Sequence, residues 1–348
     1  MDRLHAEEIA VLLNERARRV GRRVKNYISK WIPKANLYIS RTKEEAYAYF
    51  KEILDRRAMV LLSGGGDGTL VETLTMIKRY LEEKGEQFRQ YVHSLHLGIL
   101  GLGTGNGWAT AVGGTRGVKA IQRLLRRGDY SIQKFHVIEA EGKWFHFSGL
   151  GWDAKILNDY MRFKEAIKIA WLRRRLEGFK GYMLTLFFRT IPSVLLRRRK
   201  VEVTIKNLGK RAYRIDPRTG EESPVCPEGS ILYQGKVNVV GVSSVPYYGY
   251  KLKAFPFAQA KEGLINLRLS KAGVFKLMAH AGSVWRGTFR SPDLMDYLVE
   301  KVELSFSEPM PLQIGGDPQG YVQKIEYAVA PYQANVIDFN KPVPVPIS

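Results

Sequence analysis

Residues 61–74 read "LLSGGGDGTLVETL": four glycines and an aspartate stand between an aliphatic run and a segment with helical spacing. A turn needs one glycine, or two. More than that, where a strand hands over to a helix, restricts the chain to folds in which backbone approaches a ligand or another backbone closely. In a strand–loop–helix unit, backbone N–H groups and the positive helix N-terminus converge on an anion, and a Cβ would keep the backbone away from phosphate oxygens. Asp67 is the odd member. Phosphates repel a carboxylate unless a cation lies between them or the carboxylate has a proton to take, so Asp67 is a magnesium-linked or general-base candidate.

A second glycine-rich loop, "GLGTGNGW" at 101–108, contains Thr104 and Asn106 and follows another aliphatic run. Neither loop contains GxxxxGK[ST] or GxGxxG, which disfavours the Walker and dinucleotide readings. The runs around the loops alternate with helical patterns: "IAVLL", a basic segment to about Trp31, "LYIS", "TKEEAYAYFKEIL", "MVLLS", "TLVETLTMIKRYLEE" from about Thr69, "LGILGL" and "RGVKAIQRLLRR". That order predicts parallel strands with helices on both faces, an open doubly wound α/β nucleotide-binding domain over residues 1–133. Thr42 and Glu45 form a capping box, and Leu70, Leu74, Ile77 and Leu81 recur on one helical face. In such a sheet both loops lie at the carboxyl ends of strands, where ligands bind.

From 134 to 324 the texture changes to short alternating runs broken by Gly, Pro and Asn, such as "KFHVIEAEGKWFHFSGLG", "KVEVTIKNLGKRAYRI" and "KVELSF", which predicts a β-rich, sandwich-like second domain. Residues 156–200 depart from it with two helix-like stretches rich in arginine and large apolar residues. Both an amphipathic lipid-facing element and a core-packing pair with solvated arginines fit that pattern.

Composition narrows the function classes. The lone Cys226 builds no disulfide framework or cysteine metal site, which fits a reducing cytoplasm. The six histidines have no ligand spacing; His93 and His96, in "HSLHLGIL", are read as structural residues of a loop entering a strand. No apolar run of about 18 residues occurs, and the N-terminus carries an acidic pair before its apolar run, so neither a spanning helix nor a signal peptide is expected. With 55 basic against 34 acidic residues, the charge of +21 predicts a polyanionic partner: nucleic acid, nucleotide or anionic lipid.

"GGGDGTLVETL" with "LGILGLGTGNGWA" resembles the catalytic region of the diacylglycerol kinase and sphingosine kinase superfamily, whose hallmark is GGDGT followed by a later LGTGN. The resemblance implies nucleotide contacts from Gly64, Gly65, Gly66, Gly68, Thr69, Glu72, Gly103, Thr104 and Asn106. It adds Asn14 in "VLLNERARR", where the family's usual proline is Glu15, and Ser40 in place of a threonine. "GLGWDAKI" is similar to the family's glycine-rich motif and implies that Asp153 lies near the acceptor. "LQIGGDPQG" is similar to L-D-G-E-P, with Gly315 replacing the aspartate and Asp317 standing for the glutamate. Glu262 replaces an aspartate that supports a structural metal in some bacterial members.

The resemblance implies an α/β domain holding ATP, a β-rich lipid-substrate domain, a cleft between them, and a return of residues 325–348 to the first domain. The expected reaction is ATP- and Mg²⁺-dependent phosphorylation of a lipid hydroxyl: diacylglycerol, ceramide or a sphingoid base. Asp67 is the expected base, and Asp317 a second catalytic carboxylate that contributes to Mg²⁺ or base function. The alternatives are an NAD kinase-like soluble acceptor and a basic nucleic-acid-binding protein. Basic clusters at 16–25, 173–175 and 197–200, the last two near Trp171, Phe179, Phe187 and Phe188, suit an anionic membrane surface; no nucleic-acid motif accompanies them. A cytoplasmic, peripherally membrane-associated enzyme is therefore expected.

Overall fold

The computed structural model describes residues 5–103, 106–127, 130–152, 154–159, 201–216, 218–224, 227–249 and 251–340. Thr104, Asp153, Cys226, nearly all of the expected 156–200 insertion and the last eight residues lie outside them. The chain forms two compact units: Met1–Val137 with Lys143–Phe145 and Ala330–Ser348, and Ile138–Gly142 with His146–Val329.

The first unit is built on parallel strands. β1 (Ile9–Asn14) pairs with β2 (Leu37–Ser40) and β3 (Val60–Gly65), and β3 pairs with β4 (His96–Gly101). β1 and β3 are buried almost throughout, as continuous apolar runs in the centre of a parallel sheet must be, whereas β2 alternates at the edge. Beyond β4 the sheet is closed by the C-terminal end of β16 (Asp317–Asp338), parallel to it at Asn335 and Val336. Helices α1 (Arg22–Ile28) and α6 (Lys119–Arg127) bury Ile28, Ala120, Ile121 and Leu124 against Ile9, Val11, Leu13, Val60 and Leu62. α2 (Lys43–Asp55) and α3 (Asp67–Lys84) pack on β1 and β3 with Phe50, Ile53, Leu54, Leu70, Leu74 and Ile77 buried. Each such side chain contributes about 1.5–3 kcal/mol on leaving water.

Local signals account for the helix ends. Thr42 Oγ1 accepts from the Glu45 amide at 3.2 Å, but the Glu45 carboxylate reaches back one residue further than a capping box requires, to the Arg41 amide at 2.7 Å. α3 starts two residues earlier than its pattern predicts because Gly66, in extended conformation, is its N-cap, and it stops at Gly85, whose φ is 74°. Leu81 is only half-buried. His93 does not lie in a loop: it stands in the last turn of a short helix α4 (Arg89–Ser94) that precedes β4. The sequence there lacks the length of apolar repeat that reveals a helix.

The second unit is antiparallel. From β7 (Phe147–Gly151) the order runs through β12 (Val239–Ser243), β13 (Ile265–Ser270), β14 (Leu294–Val299) and β9 (Ala212–Ile215) to β10 (Glu222–Pro224). On its other side β7 pairs with β15 (Lys301–Ile314) at Leu312–Ile314. The first half of β15, Val302–Phe306, pairs instead with β8 (Val201–Asn207), which pairs with β11 (Ile231–Val237). β15 therefore changes partners across an irregularity between Ser305 and Met310, where Pro309 has no N–H for a ladder. A bidentate ion pair at 2.8 Å joins Arg268 of β13 to Asp296 of β14.

Candidate active site

The parallel register sets Gly64 beside Leu13 and Gly65 beside Gly101, so the chain leaves β1, β3 and β4 at one edge. Here the two glycine loops are stitched together. The Gly65 carbonyl accepts from the amides of Leu102 and Gly103, both at 2.8 Å. A Cβ on Gly103 would come within 2.2 Å of Gly66 Cα, and one on Gly65 within 2.2 Å of Thr69 Oγ1. On Gly64 it would meet Leu13 Cδ2 at 2.3 Å. Gly65 and Gly103 are thus demanded by the protein's own packing, which the expectation of room for phosphate oxygens did not foresee, whereas Gly64 faces only the movable end of a side chain.

Asp67 is the first residue of α3, where its charge complements the helix dipole. Its Oδ1 accepts from the amide of Gly107 at 2.7 Å. Gly107 opens α5 (Gly107–Ala111), whose N-cap, Asn106, is left-handed at φ 56° and ψ 46°. The buried Asn106 side chain grips Gly103 twice: Nδ2 donates to its carbonyl at 2.9 Å, and Oδ1 accepts from its amide at 3.2 Å. Asn14, the last residue of β1, donates through Nδ2 to Thr69 Oγ1 at 3.0 Å and accepts from the Arg16 amide at 3.0 Å. The structure thereby brings Asn14, Gly64, Gly65, Gly66, Asp67, Thr69, Gly103 and Asn106 together, with Gly68 in the first turn of α3.

Ser40 ends β2 beside Asn14 and is buried, with its hydroxyl donating to the Leu13 carbonyl at 3.3 Å. Glu72, one turn into α3, is paired at 2.5 Å with Lys43 of α2. Glu15, at the position of the family's proline, binds Lys25 and, at 2.6 Å, Arg41. Those hydrogen bonds, Lys25 first, hold its carboxyl below the usual carboxylate range. Sequence reasoning missed Lys25, Arg41, Lys43 and Gly107. The first lay inside a basic cluster read as a surface patch, and a backbone amide leaves no signature.

Asp317 belongs to the second unit. Ile314 and Asp317 are paired across Gly315 and Gly316, whose φ values of 57° and 83° mark a two-residue hairpin turn of the primed type. Gly315, which replaces the family's aspartate, meets that backbone requirement. Beneath the turn Gln313 accepts from the Gly316 amide at 2.8 Å and donates to Tyr248 Oη, and its carbonyl accepts from Ser148 Oγ at 2.7 Å. This buried polar support was not singled out from the sequence. Asp317 itself is exposed. Glu262 offers its carbonyl to Arg211 at 3.4 Å. Among the described residues no helix is long and apolar enough to cross a membrane.

Residues 8–137 match the diacylglycerol kinase catalytic domain, spanning both glycine loops and their strands. No curated protein matches the chain. Among solved structures, a diacylglycerol kinase from Bacillus anthracis strain Sterne shares the fold with a TM-score of 0.59 at 15% identity, covering 97% of this chain and 98% of its own. A second structure from that strain, provisionally assigned to the same class, gives a TM-score of 0.61 at 16% identity over 95% and 97%. At such identity the likeness extends the shared fold over both units, while the domain match marks the first as a kinase-type phosphotransferase domain. The first unit thus carries a domain of the diacylglycerol kinase catalytic type.

Proposed function

We propose that the protein transfers the γ-phosphoryl group of ATP to the free hydroxyl of a membrane lipid of the diacylglycerol, ceramide or sphingoid-base class. The observation that carries this reading is Asp67, held by the Gly107 amide at the junction of two loops whose backbones meet at Gly66 and Gly103. In this reading the loop amides, Asn14, Ser40, Thr69, Glu72, Thr104 and Asn106 position the nucleotide. Asp67 takes the proton of the lipid hydroxyl as its oxygen bonds to the γ-phosphorus and the bond to the ADP oxygen breaks. Positioning and charge neutralisation supply most of the acceleration, and a base adds on the order of 10²- to 10⁴-fold.

Magnesium usually takes one or two carboxylates and completes its shell with water and phosphate oxygens. Among the described residues no three His, Cys, Asp or Glu side chains converge on a metal position. Asp67 is the carboxylate that would contact magnesium arriving on the nucleotide, and Asp153 would orient the acceptor. The cation would neutralise the charge developing on the phosphates. The proposed setting is the cytoplasmic face of an anionic membrane. Labelled ATP offered with a lipid panel, and with NAD as a soluble acceptor, tests the proposal. Label in a lipid that disappears in Asp67→Asn supports it; label in NAD alone, or none in any lipid, rejects it.

A further inference from the structure

β13 and β14 are antiparallel neighbours, with Ser270 opposite Leu294, and such neighbours ordinarily need a loop of about 2–5 residues. Here residues 271–293 intervene and fold into two short helices, α7 (Val274–Ala279) and α8 (Ala281–Arg286). Their base is anchored. The Lys271 amide donates to the Asp293 carbonyl at 2.8 Å, the Lys253 amide to the Trp285 carbonyl at 3.0 Å, and His280 stacks on the buried Phe289 ring at 4.8 Å. Three large apolar side chains of this connection are exposed: Phe275 62%, Met278 40% and Trp285 38%. The other large exposed apolar side chains among the described residues, Met59, Ile231 and Tyr321, are scattered, as single exposures normally are.

We propose that this connection is a membrane-docking element whose partner is an anionic lipid bilayer. The charge around these exposed apolar side chains points to that partner. Lys271, Lys276, Arg286 and Arg290 flank it, and no acidic residue occurs between 271 and 290. Lys276 is paired with Asp293 at 2.6 Å, and the Arg290 guanidinium lies over the Phe257 ring at 5.2 Å, which leaves Lys271 and Arg286 as the principal cations for headgroups. A bilayer interface offers phosphates to these cations and an apolar layer to Phe275, Met278 and Trp285, and tryptophan favours that boundary. A nucleic acid would match the charge and leave the apolar side chains in water. The element is distinct from residues 156–200, and the inference rests on the lipid-acceptor reading, since an enzyme with such an acceptor must reach it in the bilayer.

Flotation of the full chain with phosphatidylcholine vesicles, with and without phosphatidylglycerol, tests the element. The wild type is expected to float with the anionic vesicles, and Phe275→Ser/Met278→Ser/Trp285→Ser to lose on the order of tenfold or more in partitioning, with unchanged circular dichroism. Lys271→Gln/Arg286→Gln should lose the preference for phosphatidylglycerol and its sensitivity to salt. Equal flotation of the triple variant and the wild type, or equal binding of the wild type to both vesicle types, overturns the proposal. So does a change of oligomeric state in the triple variant with flotation intact, which would make the patch a contact between copies. Phosphorylation of a detergent-dispersed lipid separates the two readings. If the triple variant retains it and loses flotation, both stand; if no lipid is phosphorylated while the flotation difference persists, only the kinase reading falls.

Discussion

Asp67 Oδ1 lies 2.7 Å from the amide nitrogen of Gly107, so the carboxylate in the first glycine loop holds the start of the helix that follows the second. The proposed base is thus also a structural tether, and substitution can separate the two roles. Asp67→Asn keeps an oxygen that can accept from Gly107 but cannot take a proton. It is expected to fold with nearly wild-type stability and to lose about 10²- to 10⁴-fold in kcat. Asp67→Ala should lose activity and also about 0.5–1.5 kcal/mol of stability with the hydrogen bond. Turnover measured beside urea midpoints checks both; near-normal kcat in Asp67→Asn would remove Asp67 as the base.

Gly103→Ala tests the contact of the two loops. Its Cβ would lie 2.2 Å from Gly66 Cα and 2.8 Å from Gly66 N, and backbone cannot rotate away as a side chain can. A loss of about 1–3 kcal/mol in unfolding free energy is expected. Gly64→Ala should cost less, because what it meets most closely is the end of the Leu13 side chain. Equal denaturant midpoints for Gly103→Ala and wild type would show that the loops can part at little cost.

The α/β half was legible because its signals are local and repeated. "IAVLL" and "MVLLS" are apolar runs long enough only for buried strands, and Leu70, Leu74 and Ile77 keep one helical face. The glycine loops were legible as a candidate site, but not the reason for each glycine: whether a missing Cβ makes room for a ligand or for Gly66 depends on a residue tens of positions away. The Glu15–Lys25–Arg41 cluster was hidden for the same reason, since ion pairs across β1, α1 and the end of β2 have no sequence period. The connection α7–α8 was hidden by its shortness, two helices of six residues each, too brief for an amphipathic repeat.

Asn106 is a second test of loop geometry. It adopts a left-handed conformation and clamps Gly103 through both ends of its amide. Asn106→Gly keeps the backbone conformation at no steric cost and loses the clamp, whereas Asn106→Ala loses both. The expected order of stability is wild type, then glycine, then alanine, with about 1 kcal/mol between the last two. Thermal midpoints of the three proteins check the order; alanine above glycine would show that the left-handed backbone is not the constraint.

Glu15 commits the charges of Lys25 and Arg41 beside Asn14. In Glu15→Gln those cations are released at the edge proposed to receive a triphosphate. The KM for ATP is expected to fall a few-fold at low ionic strength, on the order of two- to tenfold, and to return toward wild type as salt screens the field. An unchanged KM at low salt would place the triphosphate away from this edge.

The final prediction concerns pH. Burial holds His93 and His96 below their ordinary pKa, with Arg89 adding a smaller repulsion at His93. His96 Nδ1 lies 2.7 Å from Tyr130 Oη, and the His93 carbonyl accepts from Asn335 at 2.6 Å, near the pairing of β4 with β16. A histidine whose folded pKa is depressed is protonated first in the unfolded chain. Its contribution is therefore fully present above the unfolded value of about 6.5 and is lost as pH falls below it. The carboxylates held low, Glu15, Asp55 and Glu303 first by hydrogen bonds from lysines and Glu83 first by one from Tyr47, act in the same direction in a lower window, below their own unfolded values of about 4. Urea midpoints should thus be flat at about pH 7–8 and begin to fall below about 6.5, with a second, steeper fall in acid. His93→Gln/His96→Gln should remove the first fall and leave the second, the amide introduced in place of the His96 ring retaining a polar partner for Tyr130. If the double variant still loses stability between about pH 6.5 and 5, some other group charges there and the two half-buried histidines are not the source.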